Sequence, residues 1–396
     1  MNKLRRKHIY VIIATSCLIG ATLGLTTNVA GLYINSVCEY LNASRGQVSL
    51  TITICSVAFA LAGMLVPRLL KEQNYRLFVA SATVLTVVCT VCLSLAEKLW
   101  VFYLLNALRG FGAGLISSVP VTIMLNNWFV RNNGLITSLV LGFSGIIASL
   151  FSPVLAGVIE KYDWQKGYLF NAGAIALLCG LAWLLPVGLN PESVGEQAYG
   201  ASEEKNSASK EQSDDEIDKI KYLLIVAFAV FCAMGTSFGQ HLPGLASYYG
   251  LPESLGATLL SMAMLINTMG KLMLGAGIDR FGSRLTLICG CLICAVGYLL
   301  LMSGRVILLY GGALLMGLSY GLTIVGVVFL IRKCFGTRNY SRVYPSVSML
   351  MMSFSAFSSS LVGFSYDLSG SYYLILSVMA VMLILSALIV MTVDRD

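Results

Sequence analysis

Residues 254–284 read SLGATLLSMAMLINTMGKLMLGAGIDRFGSR, and this stretch sets the class of protein to consider. The interval 254–278 contains a single ionisable residue, Lys271, and ends at the charged pair Asp279-Arg280. A membrane-spanning helix needs about 20 consecutive, mainly apolar residues. The stretch therefore predicts a transmembrane helix that carries one cation inside the bilayer.

Long intervals with few or no charges recur along the whole chain, which is 57% hydrophobic and 11% charged. A soluble domain carries about 25% charged residues, because water must wet its surface. The composition therefore predicts an all-α protein in the lipid bilayer with twelve transmembrane helices. The twelve intervals are 9–38, 46–67, 77–96, 99–130, 132–159, 167–191, 222–252, 254–278, 285–304, 306–331, 343–366 and 368–393.

The basic residues between the spans predict the orientation. With the N-terminus inside, fifteen Lys and Arg residues fall in the short inner segments and five in the outer loops. Cytoplasmic loops carry the excess of basic residues in membrane proteins. We therefore expect a multi-pass protein of the cell membrane with both termini in the cytoplasm.

A polar stretch divides the chain into two related halves. Residues 190–220 are rich in Ser, Glu, Asp and Lys, which predicts a flexible cytoplasmic linker between six-helix bundles at 1–189 and 221–396. Glycines recur in the same order in both halves, as a duplication requires, and the two bundles are therefore expected to be pseudo-symmetric. The recurring pairs are Gly63 with Gly275, Gly110 with Gly317, Gly114 with Gly321, and Gly157 with Gly363.

Several functional classes do not fit the sequence. Eleven cysteines are scattered through apolar runs and only two histidines are present, so the spacing of a metal site is missing. No serine–histidine, paired-aspartate or zinc-ligand constellation of an enzyme is found. The net charge of +7 lies in clusters between spans, which indicates topology rather than nucleic-acid binding. We expect no enzyme activity, cofactor or metal.

Two cations lie within predicted helices, Arg109 in the fourth and Lys271 in the eighth, while no acidic residue does. A cavity with fixed positive charge attracts anions. A structural interpretation remains open for each cation. Lys271 extends its ammonium along the helix to the inner membrane surface (snorkelling). Arg109 donates hydrogen bonds to backbone carbonyls of neighbouring helices. His241, near the outer end of the seventh helix, is a hydrogen-bonded wall residue or a proton relay.

Polar residues concentrate on particular helices and predict a central aqueous cavity. Asn267 and Lys271 are spaced i, i+4 and share one helix face. Asn28 in the first helix, Gln240 in the seventh and Tyr320 in the tenth are further candidates for substrate binding.

The run from Asn267 to Arg284 resembles the helix 8–9 signature of the major facilitator superfamily, most closely in the oxalate/formate antiporter and monocarboxylate porter branches. Asn127-Trp128-Phe129 and Asp367-x-x-Gly370-Ser371-Tyr372 are similar to further hallmarks of those branches. The resemblance implies the major facilitator fold and transport by alternating access. Lys271 stands where these branches place a carboxylate-binding arginine, and Asn267 where porters place an acid.

The same resemblance implies a gating motif at Asp279, Arg280 and Arg284, with a second copy at Arg68 whose acid is replaced by Pro67. Asn28 stands where monocarboxylate porters have a lysine, so a basic anchor of that family is missing here. With fewer basic groups to bind carboxylates, a monocarboxylate is favoured over a dicarboxylate. The expected protein is a monomeric transporter or antiporter of a small organic anion, with a proton or counter-anion as candidate coupling partner. Efflux of a neutral solute or drug, and a non-transporting nutrient sensor, are the alternatives.

Overall fold

The computed structural model describes residues 5–200 and 218–393. This part of the chain contains twelve helices long and apolar enough to cross a membrane, which confirms the predicted number. We number them α1 Arg6–Leu41, α2 Arg45–Leu69, α3 Glu72–Leu93, α4 Leu99–Trp128, α5 Asn133–Lys161, α6 Trp164–Leu184, α7 Lys219–Tyr248, α8 Glu253–Phe281, α9 Ser283–Leu301, α10 Val306–Gly336, α11 Val343–Ser369 and α12 Tyr373–Val393.

The described residues form two compact units. The first lies within Met1–Ala30 and Ile54–Glu211, and the second within Gly31–Thr53 and Gln212–Asp396. The end of α1 and the beginning of α2 therefore belong to the second unit. The predicted boundaries at residues 189 and 221 stay a prediction.

Four helix pairings recur in both units. In the first unit, α1 packs against α5 and α6, and α3 packs against α4 and α6. In the second unit, α7 packs against α11 and α12, and α9 packs against α10 and α12. Adding six to each helix number converts the first arrangement into the second. The two bundles are pseudo-symmetric, as the repeated glycines predict.

Two of the repeated glycine pairs have the same structural role in each unit. A Cβ on Gly110 or Gly114 of α4 would collide with the α2 backbone at Cys55 or Phe59. A Cβ on Gly317 of α10 would collide with the Ala263 backbone of α8, and one on Gly321 would lie 2.8 Å from the Leu274 side chain and 3.1 Å from the Gly270 backbone. Small residues at such crossings let membrane helices approach closely and gain dispersion contacts.

Wide turns interrupt α1 and α10. In α1, residues Gly20–Asn28 are π-helical, and in α10 the same geometry occurs at Leu322–Gly326. A Cβ on Gly24 would lie 3.1 Å from the Ser144 carbonyl oxygen of α5, so α5 packs directly onto the wide turn of α1. Such π-helical turns frequently occur at functional sites.

Residues 186–200, which we call the strap, follow α6 and pack on the first unit. The Trp128 indole donates to the Gly188 carbonyl at 3.0 Å, and the Tyr199 amide donates to the Trp128 carbonyl at 2.8 Å. Glu196 pairs with Arg5 at 2.9 Å. The part of the predicted linker between residues 190 and 200 thus has partners in the first unit, and the flexible linker at 190–220 stays a prediction. Residues 201–217 lie outside the described part.

We expect deletion of residues 190–200 to lower Tm by several degrees, because it removes the Glu196 ion pair and leaves the Trp128 carbonyl unpaired. Tm shifts by about 2–4 °C per kcal/mol in a domain of this size. Deletion of residues 203–213 is the matched control, since it removes equally many residues from a stretch with almost no apolar side chain. Thermal unfolding in detergent measures both variants. Equal Tm values for the two deletions would contradict a structural role of the strap.

Candidate functional site

Lys271 and Asn267 lie on one face of α8 inside the second unit. Their side chains are 7% and 4% exposed. The Asn267 amide nitrogen lies 3.8 Å from the Met264 sulfur, and its Oδ1 has no hydrogen-bond partner. Within the described ranges, 5–200 and 218–393, the Lys271 ammonium makes no hydrogen bond or ion pair. One helix face thus presents a largely buried lysine, whose ammonium has no partner among these residues, beside a buried acceptor without a hydrogen bond.

Tyr320 and Gln240 lie near this face and are held by backbone partners. The Tyr320 hydroxyl donates to the Thr236 carbonyl at 2.8 Å, and Gln240 Oε1 accepts from the Gly31 amide at 2.7 Å. A Cβ on Gly239 would contact both the Tyr320 hydroxyl and the Met264 methyl. Met264 therefore links the α7 and α10 residues to Asn267.

The 3₁₀ turn Phe238–His241 positions Gln240 within α7. The turn ends at Leu242-Pro243, where the next helical segment begins. Proline suits the first turn of a helix because its missing amide hydrogen would have no partner there. His241 is 1% exposed; its Nε2 lies 2.9 Å from the Ser359 carbonyl, and its Nδ1 has no partner. A carbonyl only accepts, so Nε2 carries a hydrogen.

Arg109 and Asn28 belong to the first unit. The Arg109 guanidinium donates from Nη2 to the Leu25 carbonyl at 3.3 Å, and the amide of Asn171 donates to the same oxygen at 3.0 Å. Arg109 Nε and Asn171 Oδ1 are both buried without a partner. Arg109 thus ties α4 to the wide turn of α1. Asn28 is half-buried at the end of that turn.

The residues of the gating motif are all exposed: Asp279, Arg280, Arg284 and Arg68. The Arg280 guanidinium lies over the Phe281 ring, 5.4 Å from its centroid. The structure describes no hydrogen bond or ion pair of Asp279 among residues 5–200 and 218–393. The gating role of these residues stays a prediction.

A cluster that the sequence did not indicate lies at the beginning of α2, in the second unit. The two carboxylate oxygens of Asp367 accept hydrogen bonds from the Arg45 and Gly46 amides at 3.0 and 2.8 Å. The Arg45 guanidinium donates to the Tyr372 hydroxyl at 2.9 Å and lies 4.7 Å above the Tyr366 ring. Burial raises the pKa of Tyr372, and the Arg45 charge opposes this shift.

We expect Asp367→Asn to lower the free energy of unfolding by about 1–3 kcal/mol, because an amide nitrogen cannot accept from the backbone amide that it would face. The negative charge at the helix N-terminus is lost as well. Glu253→Gln is the matched control: Glu253 is a partly exposed carboxylate in the first turn of α8. Denaturation in detergent measures both. A loss for Asp367→Asn no larger than that for Glu253→Gln would contradict the cap.

Comparison with known proteins identifies the family. The sequence profile described as "Major Facilitator Superfamily" matches residues 14–284 and 223–396. The chain belongs to the major facilitator superfamily. Among curated proteins, monocarboxylate transporter 12 of Xenopus laevis is 25% identical over 205 residues. That alignment covers 47% of this chain and 44% of the relative, so the chain spans less than half of the relative's length.

Solved structures of the superfamily share the fold. A bacterial homolog of the human lysosomal transporter Spinster has a TM-score of 0.72 at 12% identity, covering 99% of this chain and 98% of that one. A D-xylose-proton symporter has a TM-score of 0.73 at 16% identity, with 96% and 97% covered. The nucleoside transporter NupG has a TM-score of 0.73 at 12% identity, with 97% and 98% covered.

Family and fold together establish a member of the major facilitator superfamily in which the described residues form twelve helices long and apolar enough to cross a membrane. The resemblance seen in the α8–α9 sequence is confirmed at the level of the superfamily. Asn171 is the candidate residue that sequence reasoning missed. It is the one amide side chain in the interior of α6, and that feature was the available signal.

Proposed function

We propose that this protein transports a small organic anion, most suitably a monocarboxylate, by alternating access. The observation that carries the proposal is the pair on α8: Lys271 is largely buried and its ammonium has no partner among the described residues, and the buried Asn267 Oδ1 has no hydrogen bond. A buried cation is costly unless an anion pairs with it. A substrate carboxylate supplies that anion, and Asn267 is placed to accept from a neighbouring hydroxyl.

The distribution of buried charge supports an anion over a cation. Arg109 and Lys271 are buried, whereas every Asp and Glu of the described residues is at least partly exposed. Fixed charges of one sign with low-dielectric walls raise the local concentration of the opposite ion. Cationic substrates are therefore disfavoured in either unit.

The curated relative that aligns with part of this chain supports a carboxylate as the substrate. Its printed name is monocarboxylate transporter 12, and it aligns with about half of this chain. The sugar and nucleoside transporters among the solved structures share only the fold at 12–16% identity. One cation in the α8 site matches one carboxylate, so monocarboxylates are preferred to dicarboxylates.

The proposed cycle uses the two pseudo-symmetric units as the moving parts. Asp279, Arg280 and Arg284 form the gate, with the weaker copy at Arg68. A co-transported proton or an exchanged anion compensates the charge of the substrate. The protein works as a monomer in the cell membrane with both termini in the cytoplasm.

Uptake of isotope-labelled monocarboxylates into proteoliposomes tests the proposal. We expect uptake of a short monocarboxylate that is competed by other carboxylates but not by the corresponding neutral amides, because Lys271 recognises charge. Equal competition by acid and amide would favour a neutral solute. Specific binding without uptake would favour a sensor.

A topology experiment tests the orientation separately. We expect a reporter fused after Lys210 to be cytoplasmic and one inserted at Glu253 to be external, because basic residues flank the inner segments. Accessibility of a site-specific reporter in intact cells measures both. External labelling at position 210 would reverse the proposed orientation.

A further inference from the structure

An apolar groove opens on the surface of the second unit between α8 and α9. Its volume is about 360 Å³. Met273 and Phe281 form the α8 wall, Leu285 and Ile293 the α9 wall, and Leu318 of α10 contributes to the lining. The wall residues are well exposed, with Met273 60%, Phe281 62% and Leu285 55% accessible. Lys271 and Asn267 are not among the residues that line this groove.

Glycines let the two helices approach beneath the exposed walls. A Cβ on Gly277 of α8 would lie 2.8 Å from the Thr286 methyl of α9. A Cβ on Gly290 of α9 would lie 3.0 Å from the Leu322 side chain. Both glycines line the groove. The close approach at these two positions forms the floor of the groove, and the large exposed apolar residues form its walls.

The groove has the depth of one lipid leaflet. Each wall spans nine residues, from Met273 to Phe281 and from Leu285 to Ile293, and the eight steps between the first and last correspond to about 12 Å of helix. The hydrocarbon core of a bilayer is about 30 Å thick, so one leaflet contributes about 15 Å. An acyl chain entering at the Phe281 end therefore remains in the groove for most of its depth.

Positive charge marks the end of the groove where a lipid headgroup would lie. The Arg280 guanidinium stacks over Phe281 at 5.4 Å, and Arg284 immediately precedes Leu285. Both arginines are exposed, as is the single acidic neighbour Asp279. Guanidinium groups bind phosphate bidentately, and two of them outweigh one carboxylate.

We propose that this groove is a binding site for an anionic phospholipid. One acyl chain lies between α8 and α9, and the phosphate binds Arg280 and Arg284. The site goes beyond the proposed transport function and does not depend on it. Because Arg280 also belongs to the gating motif, occupancy by the lipid couples membrane composition to that motif.

Native mass spectrometry of the delipidated protein tests headgroup selectivity with phosphatidylglycerol and phosphatidylcholine as probes. We expect one phosphatidylglycerol to be retained at least tenfold more tightly, and Arg280→Gln/Arg284→Gln to remove this preference. Lys161→Gln/Arg305→Gln is the matched control, since it removes the same charge from exposed positions outside the groove. Equal retention of the two lipids, or an unchanged preference in the arginine variant, would overturn the proposal.

Cys289 reports occupancy of the groove directly. It lines the groove, and it is exposed, whereas the other ten cysteines are buried or partly buried. We expect a membrane-permeant maleimide to label Cys289 several-fold more slowly in phosphatidylglycerol nanodiscs than in phosphatidylcholine nanodiscs, with Cys289→Ser as the blank. Protection by phosphatidylethanolamine equal to that by phosphatidylglycerol would show that net headgroup charge is irrelevant, and would overturn the anionic assignment.

Discussion

Lys271→Gln is expected to abolish binding of the organic anion while leaving the ligand-free protein folded. The ammonium has no partner in the described chain until the substrate arrives. Removing one member of a buried ion pair costs about 3–5 kcal/mol, and thus at least about a hundredfold in Kd. Without substrate the substitution relieves a desolvation cost of about 2.5–3.5 kcal/mol, so the stability does not fall. Calorimetry measures binding, and thermal unfolding of the ligand-free protein measures stability.

Two further variants separate this role from general effects of charge. Lys271→Arg is expected to keep partial binding, because a guanidinium pairs with a carboxylate in a different geometry. Arg109→Gln removes the other buried cation, which already donates to the Leu25 carbonyl, and is expected to lower stability. If Lys271→Gln bound the anion with unchanged affinity, the carboxylate assignment would lose its main support.

The helices and their internal repeat were predictable from sequence because both depend on local composition. A charge-free interval of about 20 residues has few alternatives to a spanning helix. The close helix crossings at Gly110 and Gly317 could also be recognised from the glycine spacing, because helices that cross closely in a membrane need small residues at the contact. The structure shows Gly110 against the α2 backbone and Gly317 against the α8 backbone, neighbours that the spacing alone did not identify.

The contacts around the candidate site were predictable only in part. The spacing of Asn267 and Lys271 placed them on one face, because helix geometry fixes the i, i+4 relation. The cap that Asp367 provides at Arg45 joins residues far apart in the chain, and no periodicity signals it. The Leu25 carbonyl that binds Arg109 and Asn171 is a backbone group, which side-chain patterns cannot indicate.

The strap shows the same limitation at the end of the first bundle. It overlaps the stretch 190–220, which is polar as a whole, and this composition alone is typical of a linker. The order of the strap depends on specific partners, among them the Trp128 carbonyl for the Tyr199 amide and Arg5 for Glu196. Composition measures how much apolar surface a segment has to bury, and it contains no information on partners elsewhere in the chain.

Gly110→Ala is expected to destabilise the first unit by about 3 kcal/mol, although alanine is the better helix former. The new methyl group would collide with the backbone carbonyl of Cys55, which cannot move without displacing α2. Overpacking of a tight interior costs about 1–3 kcal/mol, and a backbone obstacle places this substitution at the upper end. Thermal unfolding in detergent is expected to show a Tm lower by about 6–12 °C.

Gly157→Ala in α5 is the matched control, because a Cβ at Gly157 meets nothing within 4 Å. Alanine is favoured over glycine in a helix by about 0.5–1 kcal/mol, so this variant is expected to be as stable as the wild type or slightly more stable. The two substitutions are therefore expected to change the stability in opposite directions, although each adds one methyl group. Gly317→Ala is expected to behave like Gly110→Ala, because it would collide with the Ala263 backbone of α8. A rise in Tm for Gly110→Ala would contradict the close crossing of α2 and α4, and with it the packing role assigned to the repeated glycines.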